Sequence, residues 1–300
     1  MTHRITLLDG GMGRELKRMG APFRQPEWSA LALLEAPEYV VRAHEVFARA
    51  GAEVLTTNSY AVVPFHLGAE RFRTEGLRLA DLAGRLARQA AGPGVRVAGS
   101  LPPVFGSYRP DLFDPTQVQN ILQVLIAGLS PHVDQWQAET LSSIAEARAV
   151  RAALADDPRP LWVSFTLEDE TVDTVAPRLR SGETVAEAAR ALHELQAAAM
   201  LFNCSQPEVM GAAIDVARDT LRELGSTMRL GVYANAFPPQ PKNATANAGL
   251  DEIRADLTPK GYLAFAQDWV ERGASIIGGC CGIGPEHIAA LRKALSENPG

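Results

Sequence analysis

The sequence predicts an α/β protein folded as a closed parallel (β/α)8 barrel, with residues 1–300 forming a single domain. Eight short apolar runs rich in β-branched residues each precede a longer stretch whose apolar residues recur three and four apart. Side chains able to do chemistry stand at the C-terminal ends of those runs, where barrel enzymes assemble their active sites. A chain of 300 residues also suits the roughly 250 that one such barrel uses. An open doubly wound sheet shows the same alternation but binds its ligand at one switch point. Here Asp9, Asn58, Ser100, Glu139, Cys204, Asn235 and Cys280 fall at the ends of separate runs, which favours the barrel.

Taken in order, the first run (5–9) ends in an acid followed by Gly10 and Gly11, and a helix over 37–50 opens with proline and closes at Gly51. The second run (52–58) leads to a helix over 71–91, and the third (95–101) to one over 116–129 behind the start signal Asp114-Pro115. Runs four (133–139) and five (161–167) precede helices over 142–154 and 184–196. Run six (198–204) passes through Ser205-Gln206-Pro207 into a helix over 207–224, which Gly225 stops. Run seven (230–235) is followed by the irregular stretch 237–256, a helix over 259–272 and Gly273. Run eight (275–280) precedes the last helix, 285–295. A loop as long as 237–256 is often a functional lid, although a disordered insertion has the same composition.

Composition removes several classes of function. Lys and Arg number 29 against 35 acidic residues, a net charge of −6 with no long block of either sign, so nucleic acid is not an expected partner. An acid and glycines follow the first few residues before any apolar stretch fit for a signal peptide, and nothing approaches the roughly 18 apolar residues of a membrane span. A soluble, cytoplasmic protein acting on small molecules is expected.

The three cysteines cannot form a closed disulfide framework, and a reducing compartment leaves them as thiols. Cys280 and Cys281 end the eighth run inside Gly278-Gly279-Cys280-Cys281-Gly282, and Cys204 ends the sixth. Neighbouring strand side chains point to opposite faces, so both sulfurs reach one ion only where the backbone bends, and the glycines permit that. Three protein ligands and one open position is the pattern of a catalytic zinc, whereas a structural site needs a fourth Cys or His. The histidines do not offer one: His44, His193 and His287 fall in helical segments, His3 precedes the first strand, and His66 and His132 sit in loops or helix ends. The competing reading makes Cys204 a small core residue and Cys280-Cys281 a packing accident or a redox pair. Every thiol of the chain lies at a strand end, which favours the metal.

In chain order, Asp9-Gly10-Gly11-Met12-Gly13-Arg14-Glu15-Leu16, Thr57-Asn58-Ser59-Tyr60, Glu139-Thr140, Asn203-Cys204, Tyr233-Ala234-Asn235, and the Gly278–Gly282 block with Pro285-Glu286-His287-Ile288, resemble the motif series of the homocysteine S-methyltransferases. The likeness runs from residue 7 to about residue 290, and its specific part is the cysteine pair among glycines with an upstream Asn-Cys. It implies a TIM barrel in which Cys204, Cys280 and Cys281 hold Zn2+, and homocysteine binds the open position as thiolate. A free thiol with a pKa of about 8.5 is mostly protonated at neutral pH, and a zinc-bound one is not. The resemblance also implies Asp9 and Glu139 on the substrate ammonium, and backbone amides of Gly10 and Gly11 on its carboxylate. Taken alone, Asp9 suits a turn and Glu139 a helix cap. Asn58 and Asn235 complete the expected substrate-binding set, and asparagine there equally suits the capping of a loop.

The expected donor is a small sulfonium, S-methylmethionine ahead of S-adenosylmethionine. The barrel uses up the chain, leaving no further domain for folate or corrinoid chemistry, and no GxGxxG fingerprint follows a strand. The loop 99–111 departs from the family pattern on what the resemblance makes the donor side, and Asn235-Ala236-Phe237 and Leu201 depart from it in ways that touch pocket shape more than metal binding. Phe105, Tyr108 and Phe237 lie in loops at the catalytic end and would offer aromatic faces to a cation. The alternatives are betaine or another donor acting on a thiol or selenol, and a non-catalytic zinc- or redox-sensing barrel. The last has no use for Asp9 and Glu139 at the same rim.

Overall fold

In a computed structural model of the chain, which describes residues 4–171, 173, 175–241 and 252–296, eight parallel strands form one sheet in the order β1-β8-β7-β6-β5-β4-β3-β2. The strands are β1 (Thr6–Leu7), β2 (Val54–Thr56), β3 (Arg96–Leu101), β4 (Gln135–Leu141), β5 (Leu161–Phe165), β6 (Ala199–Asn203), β7 (Arg229–Tyr233) and β8 (Ile276–Ile277). The ends of that order meet: Leu8 bridges Val54 in parallel, Glu53 N–H donates to Leu7 O at 2.8 Å, and Asp9 N–H donates to Val54 O at 3.2 Å. The sheet is thereby closed into the expected TIM barrel.

Side chains alternate faces along a strand, and here the alternation separates the lumen from the wall. Leu8, Val54, Ala98, Trp162, Ala199, Leu201, Tyr233 and Ile276 form one buried cluster. Their strand neighbours Leu7, Leu55, Val97, Val163, Phe202, Val232 and Ile277 belong to the larger cluster that joins sheet and helices. The inward phase carries Thr56, Ser100, Glu139, Ser164 and Tyr233 to the C-terminal end of the lumen.

The helices are α1 (Met12–Arg18), α2 (Ala30–Glu35), α3 (Pro37–Ala50), α4 (Pro64–Leu67), α5 (Ala69–Ala90), α6 (Val118–Leu129), α7 (Ile144–Leu154), α8 (Val185–Glu194), α9 (Pro207–Glu223), α10 (Pro259–Arg272) and α11 (Pro285–Ser296). Ser143 and Thr184 cap α7 and α8 in reciprocal boxes with Glu146 and Glu187. Gly51 and Gly273 end α3 and α10 in the left-handed conformation, with φ of 110° and 117°.

Three features lay beyond the sequence reading. The segment between β1 and α3 folds into α1 and α2, of 7 and 6 residues, too short to show a helical period. After β5, bridges Leu167–Leu179 and Arg178–Thr184 make a small hairpin. The fourth strand runs to Leu141, past the expected end at Glu139, because it carries an irregularity described below. Of the stretch 237–256, residues 242–251 lie outside the described residues, as does His3. No helix among the described residues is long and apolar enough to cross a membrane.

One core residue is out of character. His44 on α3 is fully buried, and neither ring nitrogen has a hydrogen-bond partner; burial lowers its pKa from 6.5 to about 3. The unfolded chain takes up this proton near pH 6.5 and the folded chain only near pH 3, so stability present above pH 6.5 is lost as the pH falls through that window. The loss is on the order of 4 kcal/mol. Urea midpoints of the metal-free protein measured from pH 7 to pH 4 should therefore fall much less steeply for His44→Leu than for wild type. Parallel curves would clear His44 of the effect.

Candidate active site

A cavity of about 490 Å³ opens at the C-terminal end of the lumen, and Asp9, Asn58, Glu139, Cys204, Cys280 and Cys281 all line it. Strict alternation would send Cys204, next to the inward Asn203, to the outer face. A left-handed φ of 52° at Cys204 breaks the alternation and brings its side chain to the cavity. At the end of β8, Cys280 N–H donates to Ala234 O at 2.9 Å, and Ile283 N–H donates to Cys280 O at 3.0 Å, closing a tight turn through Gly282. Gly282 alone among the three glycines of that block has a positive φ, 85°. Gly279 serves close approach instead: a Cβ there would stand 2.1 Å from the Ile283 side chain, and one on Gly11 would stand 2.6 Å from Cys280 O.

The result is that the three Sγ atoms lie within 4.8 Å of one another, with Cys204 and Cys280 at 3.0 Å, and all three thiols are free. A tetrahedral zinc with Zn–S bonds of about 2.3 Å spaces its sulfurs about 3.8 Å apart, so the cluster fits that ion with small side-chain adjustments. No fourth His, Cys, Asp or Glu joins the group among the described residues. Hydrogen bonds from Cys204 and Cys280, helped by the Arg14 guanidinium, hold the Cys281 thiol well below its usual pKa. The same sulfur contacts, with burial, push Cys280 up.

Two carboxylates face the same space. Asp9 accepts from Thr56 N–H at 2.7 Å and from Thr56 Oγ1 at 3.0 Å, yet burial, with the charge of Glu139 adding, raises its pKa from 3.8 to about 7. Glu139 accepts from the Ser100 and Tyr233 hydroxyls and is raised from 4.5 to about 7, chiefly by burial. Neither is ion-paired among the described residues. The strand turns irregular just beyond Glu139's inward position: Ala138 lies opposite Val163 but Leu141 lies opposite Phe165, leaving one extra residue on β4, a bulge. Thr140 takes a φ of 60° there. Asn203 holds it, accepting from Thr140 N–H at 3.0 Å and donating to Thr140 Oγ1 at 2.8 Å.

The remaining expectations divide. Asn58 reaches the cavity while donating to Ser29 O at 3.0 Å. Asn235 does not line it; its Oδ1 accepts from Phe237 N–H at 3.2 Å and shapes the turn. Gly10 and Gly11 both border the cavity, but the Gly11 amide is committed to Ile283 O at 2.9 Å. Phe105 packs edge-on against Phe113 at 6.3 Å rather than against the cavity, whereas Tyr108 and Phe237 line it. An aromatic wall went unread: Phe23, Trp28 and Tyr60 come from the segment before α2 and the turn after β2. Arg14, stacked 5.2 Å over the Phe237 ring, was also missed because the glycines around it drew attention to backbone amides.

The family model described as homocysteine S-methyltransferase matches residues 6–295. A homocysteine S-methyltransferase of Escherichia coli (strain K12) is 30% identical, the match covering 96% of this chain and 94% of the relative. Homocysteine S-methyltransferase YbgG of Bacillus subtilis (strain 168) is 26% identical, over 97% of this chain and 94% of the relative. A selenocysteine Se-methyltransferase of Brassica oleracea var. italica is 24% identical, over 96% and 88%. Among solved structures, the metallated form of the E. coli homocysteine methyltransferase MmuM superposes with a TM-score of 0.74 at 28% identity, covering 96% of each chain.

The bulge depends on a single amide. Replacing Asn203 by Leu leaves the Thr140 N–H buried without a partner and its hydroxyl with Tyr60 alone, at an expected cost of about 1 to 3 kcal/mol in urea unfolding. A cost below about 0.5 kcal/mol would show that the bulge stands without it.

Proposed function

Because the chain belongs to the homocysteine S-methyltransferase family, we propose that it moves a methyl group from a small sulfonium to the sulfur of homocysteine, giving methionine. The observation that carries this reading is one cavity in which three converging thiols face two carboxylates, buried Asp9 and half-buried Glu139, with no cationic partner among the described residues. Cys204, Cys280 and Cys281 would hold Zn2+. The chemistry a zinc ion supplies in such a sulfur set is removal of the proton from a coordinated thiol at neutral pH.

The protein's own groups then have separable tasks. Asp9 and Glu139 receive the acceptor's ammonium, whose charge relieves the strain of burying both acids. With the Gly11 amide committed, its carboxylate falls to the first-turn amides of α1, Met12 and Gly13, which have no partner within the helix and border the cavity beside Arg14. Trp28 and Tyr60 offer ring faces to the donor, each worth about 0.5 to 2 kcal/mol to a well-placed cation. In the transfer, a bond forms between the acceptor sulfur and the methyl carbon as the donor's C–S bond breaks. The electron pair returns to the donor sulfur, which leaves as a neutral thioether. No side chain need act as a base in that step.

S-methylmethionine is the favoured donor, since it is compact and a 490 Å³ cavity must hold donor and acceptor together. With zinc-loaded protein and homocysteine, S-methylmethionine should support methionine formation faster than betaine or methyltetrahydrofolate, with S-adenosylmethionine between them. Faster turnover with betaine or the folate would overturn the donor assignment. Selenocysteine belongs in the same assay as an alternative acceptor, given the relatives named for it. Glu139→Gln should keep its zinc and lose about thirty- to a thousand-fold in homocysteine affinity; unchanged homocysteine dependence would remove Glu139 from the site.

A further inference from the structure

Tyr108 lies against the thiol cluster in a costly conformation. Its hydroxyl shares its one proton between Cys204 Sγ at 3.1 Å and Cys204 O at 3.3 Å. Both residues take left-handed backbone angles, φ 66° and 52°, which non-glycine residues keep only where their surroundings impose them. Against the Tyr108 ring lies a guanidinium: Arg180 stacks with its Cζ 4.7 Å from the ring centre. Arg180 pairs with Asp169 at 2.6 Å, the two side chains being 2% and 0% exposed. Asp169 also accepts from Gln206 N–H at 2.9 Å and Gln240 N–H at 3.3 Å, and Arg180 donates to Gln240 O at 3.2 Å. The loops after β3, β5, β6 and β7 are thus fastened at one buried point. As a source of stability such a pair is poor, since desolvating two charges offsets most of their attraction. Its benefit lies in what it holds still.

We infer that Tyr108 is a positioning residue for Cys204, kept in place by the Asp169–Arg180 pair, and that the reaction uses its hydroxyl rather than its ring face. A donor aimed at the sulfur fixes the side chain's direction and offsets its charge, as partners behind metal ligands do. Arg180 already covers a face of the ring that would otherwise suit a sulfonium. The inference rests on the zinc reading above, and its test separates the two.

Zinc affinity is measured by chelator competition on reduced, metal-free protein, alongside the thiolate charge-transfer spectrum of the cobalt-loaded form. Tyr108→Phe should bind zinc about 10- to 100-fold more weakly, shift the cobalt band, and leave the thermal midpoint of the metal-free protein near that of wild type. Asp169→Asn with Arg180→Met removes both charges together, so neither is left buried alone. That pair should weaken zinc binding in the wild-type background and add little to Tyr108→Phe. Wild-type zinc affinity with an unshifted cobalt band in Tyr108→Phe would overturn the inference, and this variant decides the matter alone if the paired replacement fails to fold. Wild-type protein that took up no zinc would sink the metal reading and this inference with it.

Discussion

Three sulfur atoms crowd within 4.8 Å of one another at the barrel mouth, and the surrounding backbone is shaped by what that crowding requires. Cys204 leaves the β6 strand by a left-handed residue, and the turn after β8 needs Gly282 in the same region. The β1 turn presses so closely on the cysteine turn that a side chain on Gly11 would strike Cys280 O. Each of these costs backbone energy or flexibility. A packed core has no need of them. They make sense where the sulfurs must share a partner.

Charge gives the same constraint a second form. The sulfur neighbours and Arg14 hold the Cys281 thiol below its usual pKa, and Asp9 and Glu139 stand in the same cavity with pKa values pushed to about 7. Carboxylates and thiolates gathered this far from water gain most from a cationic partner. On the proposed reading a metal ion answers the sulfurs and a substrate ammonium answers the carboxylates, with Arg14 on the opposite polarity. A zwitterionic amino acid with a thiol arm matches all of these groups at once.

Much of this was legible in the sequence because strand ends in a parallel barrel are also where chemistry collects. Runs of alternating apolar residues ending in Cys204, Glu139 and Cys280 located the site, and the proline and glycine signals bounded most helices. The bulge was not legible: nothing local to Glu139-Thr140 says that Asn203, two strands away, will grip an extra residue. The place of Asn235 was illegible for a related reason, since an asparagine beside a site and one whose Oδ1 shapes a turn look alike in sequence. The aromatic wall was missed because it comes from a segment without periodicity. The Asp169–Arg180 pair closes across the small hairpin after β5, a turn that no local signal marks, and the groups it fastens, Tyr108, Gln206 and Gln240, come from other loops by tertiary contact.

The central claim is that the three cysteines bind one zinc ion and leave a position for the acceptor sulfur. X-ray absorption at the zinc edge tests it directly on protein reconstituted with zinc, first alone and then with homocysteine. The account predicts three sulfur neighbours at about 2.3 Å and one light atom without homocysteine, and four sulfur neighbours with it. A coordination sphere with fewer than three sulfurs, or one that does not gain a sulfur on adding homocysteine, would contradict it.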